Sequence, residues 1–176
     1  MGVDPLFAAA AYRDEIDDYT AHYLPAVRAS LIAGQVHQES QWNPRAVSRS
    51  GAGGLLQIMP ATGRDIALSC KIPGFDRFNP VHALRGGICY DAQVRKWVGA
   101  LNTPRDQDTA MLRAYNGGAG YIIKERHRAE LYGKDGRDAA AIEPYCLEFR
   151  PPLSCKENLG YAPAIRRWQA RYYAAW

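Results

Sequence analysis

From Leu24 to Val36 the apolar residues Leu24, Val27, Leu31, Ile32 and Val36 return every three or four positions, the period of an amphipathic helix. Asn43 precedes Pro44, and a residue before proline is disfavoured from helical geometry, so the sequence predicts a helix from Tyr23 to about Gln41. Ile32, Val36 and Glu39 fall at i, i+4 and i+7, which sets one carboxylate at the C-terminal end of the buried stripe. Partial burial disfavours the charged form, and the negative end of the helix dipole acts in the same direction. Glu39 is therefore expected to have a raised pKa and to serve as a general acid. Its place on the helix alone also fits a surface glutamate paired with Arg45 or Arg49.

Further helical patterns begin near Pro60 and run through Ile66 and Ala67, and span His82 to Val98, Asp106 to Tyr115, Gly118 to about Tyr132, and Pro163 to Trp176. In the last, Ile165, Trp168, Tyr172 and Ala175 form one stripe, with Arg166, Arg167 and Arg171 mainly outside it. Only "GGLLQI" suggests extended structure, a small hairpin at the edge of a cleft. There is no repeat, low-complexity tract or linker, and 176 residues with 47% hydrophobic content suffice for one core. The expected fold is a mainly α single domain over residues 1–176.

The excess of 22 basic over 18 acidic residues is mild, and "RRWQARYY" reads as a packed amphipathic helix, so nucleic acid is not expected as a partner. No stretch reaches the ~18 apolar residues of a membrane span. The opening "MGVDPLFAAAAYRDEIDDYT" has no basic leader and its apolar run is broken by charge, so it does not read as a secretory signal. That is the expectation for a mature form or for a protein delivered by another route. Cys70, Cys89, Cys146 and Cys155 form an even set without a CxxC pair. They read as disulfides of an exported protein, the alternative being buried free thiols. Three pairings are possible; Cys70 with Cys89 and Cys146 with Cys155 are favoured because each closes a short loop flanked by Gly or Pro. The four histidines, His22, His37, His82 and His127, show no paired spacing or ligand cluster, so neither a metal site nor a cofactor is expected.

Three segments in order narrow the reading. "ESQWNPRAVSRSGAGGLLQIMPATG" resembles the signature of the soluble lytic transglycosylase family, whose fold is that of goose-type lysozyme. "AYNGGAGYI" resembles that family's Ala-Tyr-Asn-Ala-Gly box, and "ENLGYAPAI" its late Glu-Thr-x-x-Tyr-Val segment. The resemblance covers about Ala26 to Tyr173. It implies Glu39 as the catalytic acid and Ser40 beside it as an orienting hydroxyl. It also implies Gln57, Tyr115, Asn116 and Tyr161 as cleft residues that bind glycan. Gln57 and Asn116 carry donors and acceptors suited to sugar hydroxyl and acetamido groups. Departures are Leu56 for the usual Met and Gly118 for the box's Ala. Residues 134–156, with two of the cysteines, lie outside the motifs and read as an insertion near the cleft.

Glycoside cleavage ordinarily takes two carboxylates, one acid and one nucleophile or base. Residues 40–64 contain no Asp or Glu, although Asp65, Asp76 or Asp91 could fold back. One acid suffices when the substrate supplies the nucleophile. The family resemblance implies that chemistry: cleavage of the β-1,4 bond between N-acetylmuramic acid and N-acetylglucosamine in peptidoglycan, leaving 1,6-anhydro ends. A muramidase of the same fold and a non-catalytic peptidoglycan-binding module are the alternatives. Peptidoglycan strands are the expected partner and the periplasm or cell envelope the expected location. Wall recycling, phage entry, attack on a rival cell and an envelope-spanning secretion or conjugation apparatus all remain open as contexts.

Overall fold

The computed structural model describes residues 4–176. Ten α-helices and one 3₁₀ turn follow one another: α1 (Pro5–Ala10), α2 (Arg13–Tyr23), α3 (Ala29–Ser40), α4 (Pro60–Ser69), α5 (Pro80–Trp97), α6 (Pro104–Gly117), α7 (Ala119–Leu131), α8 (Ala139–Ile142), the 3₁₀ turn Glu143–Tyr145, α9 (Cys146–Phe149) and α10 (Pro152–Tyr172). Prolines stand in the first turn of α4 and α6, where a missing N–H costs nothing, and Thr103 caps α6 by accepting from the Asp106 N–H. Among the described residues no helix is long and apolar enough to cross a membrane.

The chain divides into two compact units, within α5 and again within α10. The first holds the residues up to Tyr90 together with Ile165–Trp176, the second Asp91–Ala164. In the first unit α3 is the central helix, with Leu31, Ile32, Ala33, Gly34, Gln35, Val36 and His37 all buried. A Cβ on Gly34 would come within 2.7 Å of the Ile165 carbonyl, so glycine is what lets these two backbones approach. Leu56 packs where a Cβ on Gly87 would stand, which ties the 53–58 loop to α5. In the second unit α6 and α7 pack on each other and on the short 139–149 helices, around Met111, Leu112, Ile122, Ala129 and Ile142.

Four expectations are corrected. Leu24 to Arg28 is not helical: α2 ends at Tyr23, Pro25 lies in the turn, and α3 starts at Ala29. The expected hairpin is reduced to two isolated antiparallel bridges, Val47 with Gly53 and Gly53 with Ile58. Both share Gly53, and left-handed Gly54 and Gln57 curl the backbone between them, so no ladder can extend. The last helix starts at Pro152 and carries Pro163 in its interior. Tyr173, just past its end, is buried, whereas Ala175 of the expected stripe is exposed. The cysteines pair as favoured, Cys70 with Cys89 in the first unit and Cys146 with Cys155 in the second.

Candidate active site

Glu39 is half-buried at the penultimate position of α3, one turn beyond fully buried Val36. The helix stops there because Gln41 (φ 51°) and Trp42 (φ 66°) both adopt the left-handed conformation, uncommon for non-glycine residues and more so for two in succession. What holds them is the burial of Trp42, 5 % exposed, whose indole Nε1 donates to the Tyr173 hydroxyl at 2.7 Å. The same hydroxyl lies 2.8 Å from His37 Nδ1, and the His37 ring stacks on Trp168 at 4.2 Å. Indole N–H can only donate, so the Tyr173 proton is free for His37 Nδ1. Burial pushes the Tyr173 phenol up to about 12, opposed by the Trp42 hydrogen bond, and pulls the His37 imidazole below its ordinary 6.5. Ser40 turns its hydroxyl back into the helix, donating to the Val36 carbonyl at 3.2 Å.

The loop after α3 is built from glycine for a geometric reason. A Cβ on Gly54, at φ +80°, would lie 1.9 Å from the Arg77 carbonyl. Arg77 in turn donates from Nη1 to the Gly51 carbonyl at 2.6 Å and the Ile58 carbonyl at 3.0 Å, fastening both ends of the loop. Sequence reasoning missed Arg77, because its partners are backbone atoms 19 and 26 residues away. Gln57 sits on this loop at φ 45°, with Nε2 donating to the Ala46 carbonyl (3.2 Å) and the Gly54 carbonyl (3.0 Å). Both N–H donors are thus engaged, and the Oε1 acceptor is what Gln57 can offer a ligand. Asp65 is exposed on α4, and Asp76 accepts from the Phe78 N–H within its own turn. Asp91 is fully buried in the second unit.

Tyr115, Asn116 and Tyr161 belong to the second unit. Tyr115 and Asn116 are half-buried in the last turn of α6, and Tyr161 on α10 is 5 % exposed. The Asn116 carboxamide is held at both ends: Oδ1 accepts from Asn158 Nδ2 at 3.0 Å, and Nδ2 donates to Glu157 Oε1 at 3.3 Å. Beneath it lies a fully buried ion pair, Arg113 Nη2 to Glu125 Oε2 at 2.6 Å. Arg150 Nη2 stands 3.5 Å from the other carboxylate oxygen, with its guanidinium 4.7 Å from the Tyr121 ring centre. Burial pushes the Glu125 carboxyl up, against the pull of the two guanidiniums. The glycine in the box's Ala place is Gly117, directly after Asn116, rather than Gly118, and a Cβ on Gly117 would lie 2.7 Å from Asn158 Nδ2 and 3.0 Å from Arg150 Nη1. Arg113, Glu125, Arg150 and Asn158 were not foreseen. The one local signal was an arginine inside the otherwise apolar run Ala110, Met111, Leu112, Ala114.

The sequence profile of the transglycosylase SLT domain matches residues 20–136. A membrane-bound lytic murein transglycosylase C from Histophilus somni is 34% identical over 129 residues, 70% of this chain and 32% of that protein. A membrane-bound lytic murein transglycosylase F from Maricaulis maris is 33% identical over 105 residues, 60% of this chain and 22% of that protein. Among solved structures, the 70-kDa soluble lytic transglycosylase of Escherichia coli superposes with a TM-score of 0.62 at 28% identity, covering 90% of this chain and 24% of that one. A complex of the 70-kDa soluble lytic transglycosylase with bulgecin A gives 0.67 at 30% identity, covering 94% of this chain and 24% of that one. The chain thus spans a third or less of the length of these relatives. Sharing their helical fold, and matched by the profile over more than half its length, the chain belongs to the transglycosylase SLT domain family.

Proposed function

We propose that this chain is a peptidoglycan lytic transglycosylase with Glu39 as its single general acid and base. The observation that carries the reading is that no second carboxylate follows Glu39 along the chain before Asp65. Glu39 stands half-buried at the end of α3, and the loop that follows is fastened by Arg77 and backbone contacts and holds no Asp or Glu through residue 64. The protonated Glu39 gives its proton to the glycosidic oxygen as the bond from C1 of N-acetylmuramic acid breaks. The 2-acetamido oxygen supports the electron-poor C1. The 6-hydroxyl then attacks C1 and yields its proton to the Glu39 carboxylate, which restores the acid. The products are a free N-acetylglucosamine 4-hydroxyl and a 1,6-anhydro end, with no water consumed. Gln57 Oε1 and the Asn116 carboxamide bind glycan amide groups and half-buried Tyr115 supplies aromatic surface to the sugars, while Tyr161, 5 % exposed, serves from within the wall of the cleft rather than as an open face. Ser40 fixes the helix end that carries the acid. The substrate and the two disulfides support the cell envelope as the place of action.

Two measurements test this. Glu39→Gln keeps shape and polarity without a titrating proton, so it should abolish glycan cleavage while the protein stays folded and still binds peptidoglycan. Digestion by the wild-type protein in oxygen-18 water should leave no label at the cut sugar. Label there would mean that water attacks and that the enzyme is a muramidase; cleavage by Glu39→Gln would remove the acid from the mechanism altogether.

A further inference from the structure

The geometry points to Asn158 as the positioning residue of Asn116: it decides which way the Asn116 carboxamide faces, and so how well the second unit grips the acetamido groups of the glycan. This rests on the reading of Asn116 as a glycan-binding residue.

Asn158 is 1 % exposed and every polar atom of its side chain is engaged within the second unit. Its Oδ1 accepts from Arg113 Nε at 3.0 Å, while Nδ2 donates to the Arg113 carbonyl at 2.8 Å and to Asn116 Oδ1 at 3.0 Å. An amide can ordinarily be turned over, but here only one orientation works. A guanidinium has no acceptor, so Arg113 Nε must face an oxygen, and a backbone carbonyl has no donor, so the Arg113 carbonyl must face a nitrogen. Arg113 is itself pinned by Glu125, fully buried, at 2.6 Å. Direction therefore passes one way from Glu125 through Arg113 and Asn158 to Asn116, whose oxygen must accept and whose nitrogen must point to Glu157. Gly117 leaves no slack, because a Cβ there would meet Asn158 Nδ2 at 2.7 Å.

The consequence for recognition is specific. One N–H and one oxygen lone pair remain on Asn116 after Asn158 and Glu157 have taken their share, both in fixed places. An N-acetyl group carries one C=O and one N–H, the complement of that pair. An Asn116 free to turn over would offer the two in exchanged positions half the time.

The test is a kinetic cycle on peptidoglycan strands with Asn158→Asp, Asn116→Ala and the double variant. Asn158→Asp keeps the side chain's shape and the oxygen that accepts from Arg113 Nε, beside the buried Arg113 and Arg150 guanidiniums, so it is expected to fold, with a near wild-type circular dichroism spectrum and melting curve. It removes the donor to Asn116 Oδ1, and KM should rise about tenfold with kcat changed far less, the scale of one hydrogen bond. Asn116→Ala should raise KM by a similar factor, and the double variant should be no worse than Asn116→Ala alone. Asn158→Thr, which has a single hydrogen to share between the Arg113 carbonyl and Asn116, should fall between wild type and Asn158→Asp; it carries the same cycle should the aspartate not fold. Additive effects, or an unchanged KM in Asn158→Asp beside a raised KM in Asn116→Ala, would overturn the positioning role alone. An unchanged KM in Asn116→Ala would overturn the glycan-binding reading and the positioning role with it.

Discussion

His37 lies two residues before Glu39, packed on Trp168 and 2.8 Å from the Tyr173 hydroxyl, and burial lowers its pKa from 6.5. Above that value the ring is neutral in both the folded and the unfolded chain, and its packing contributes in full. Below it the unfolded chain takes up the proton first, so this contribution is lost as the pH falls towards the folded-state pKa. Protonation would also turn Nδ1 into a donor facing a hydroxyl that already accepts from Trp42, leaving the phenolic hydrogen without its acceptor. The urea midpoint should therefore fall between about pH 7.5 and about pH 5, and His37→Gln should flatten that part of the slope. Parallel slopes in the two proteins would show that the ring does not take up a proton on unfolding. At this scale the sequence was legible where chemistry is local. Glu39 could be placed at a helix end from the spacing of Ile32 and Val36, and short motifs offered Gln57 and Asn116 as candidates. Asn158, Glu125 and Arg77 were not legible, because each acts through a partner many residues away and no short pattern records that pairing.

Helices were legible where apolar period and proline agreed, as at Pro60 for α4, and misread where they conflicted. Pro163 looked like the start of the last helix, since proline is tolerated best in the first turn, yet α10 runs through it from Pro152. The ring is exposed, so the interruption is borne on the solvent side. The short helices of 139–149 were not foreseen, being too brief to show a period. Beside the apolar packing of α6 on α7, a polar cluster ties these helices and the 150–158 segment to one another: Arg113, Glu125, Arg150 and Asn158, all buried. Glu125→Gln would leave two buried guanidiniums facing a neutral amide, and the cost should be ~3–5 kcal/mol, read as a large drop in the urea midpoint. The pair Arg128 and Glu148, 2.9 Å apart but more than a third exposed, gives the contrast. Removing it should change stability by no more than ~1 kcal/mol. Equal losses for the two changes would mean that the buried cluster does not bind these helices together.

At the scale of the whole molecule the mainly helical fold was legible from composition and period, and the disulfide pairing from loop length. The division within α5 and α10 was not, because α5 read as one helix from His82 to Val98 and the part of α10 before Pro163 was not read as helix at all. Each compact unit closes one disulfide of its own, over sequence separations of 19 and 9 residues. Chain-entropy reasoning gives about 3 kcal/mol for each, a large share of the 5–15 kcal/mol that typically separates folded from unfolded domains. Reduction with dithiothreitol should lower the melting temperature steeply, and Cys70→Ala and Cys146→Ala should each produce part of that loss. A melting curve indifferent to reductant would show that the two bridges do not hold the fold. On the proposed envelope placement, the staples are open while the chain is still inside the cell and close only after it has left. Before oxidation the polypeptide lacks about 6 kcal/mol of that stability and opens more readily for passage through an opening narrower than its folded width. Afterwards it is set, and the act of folding makes the passage one-way.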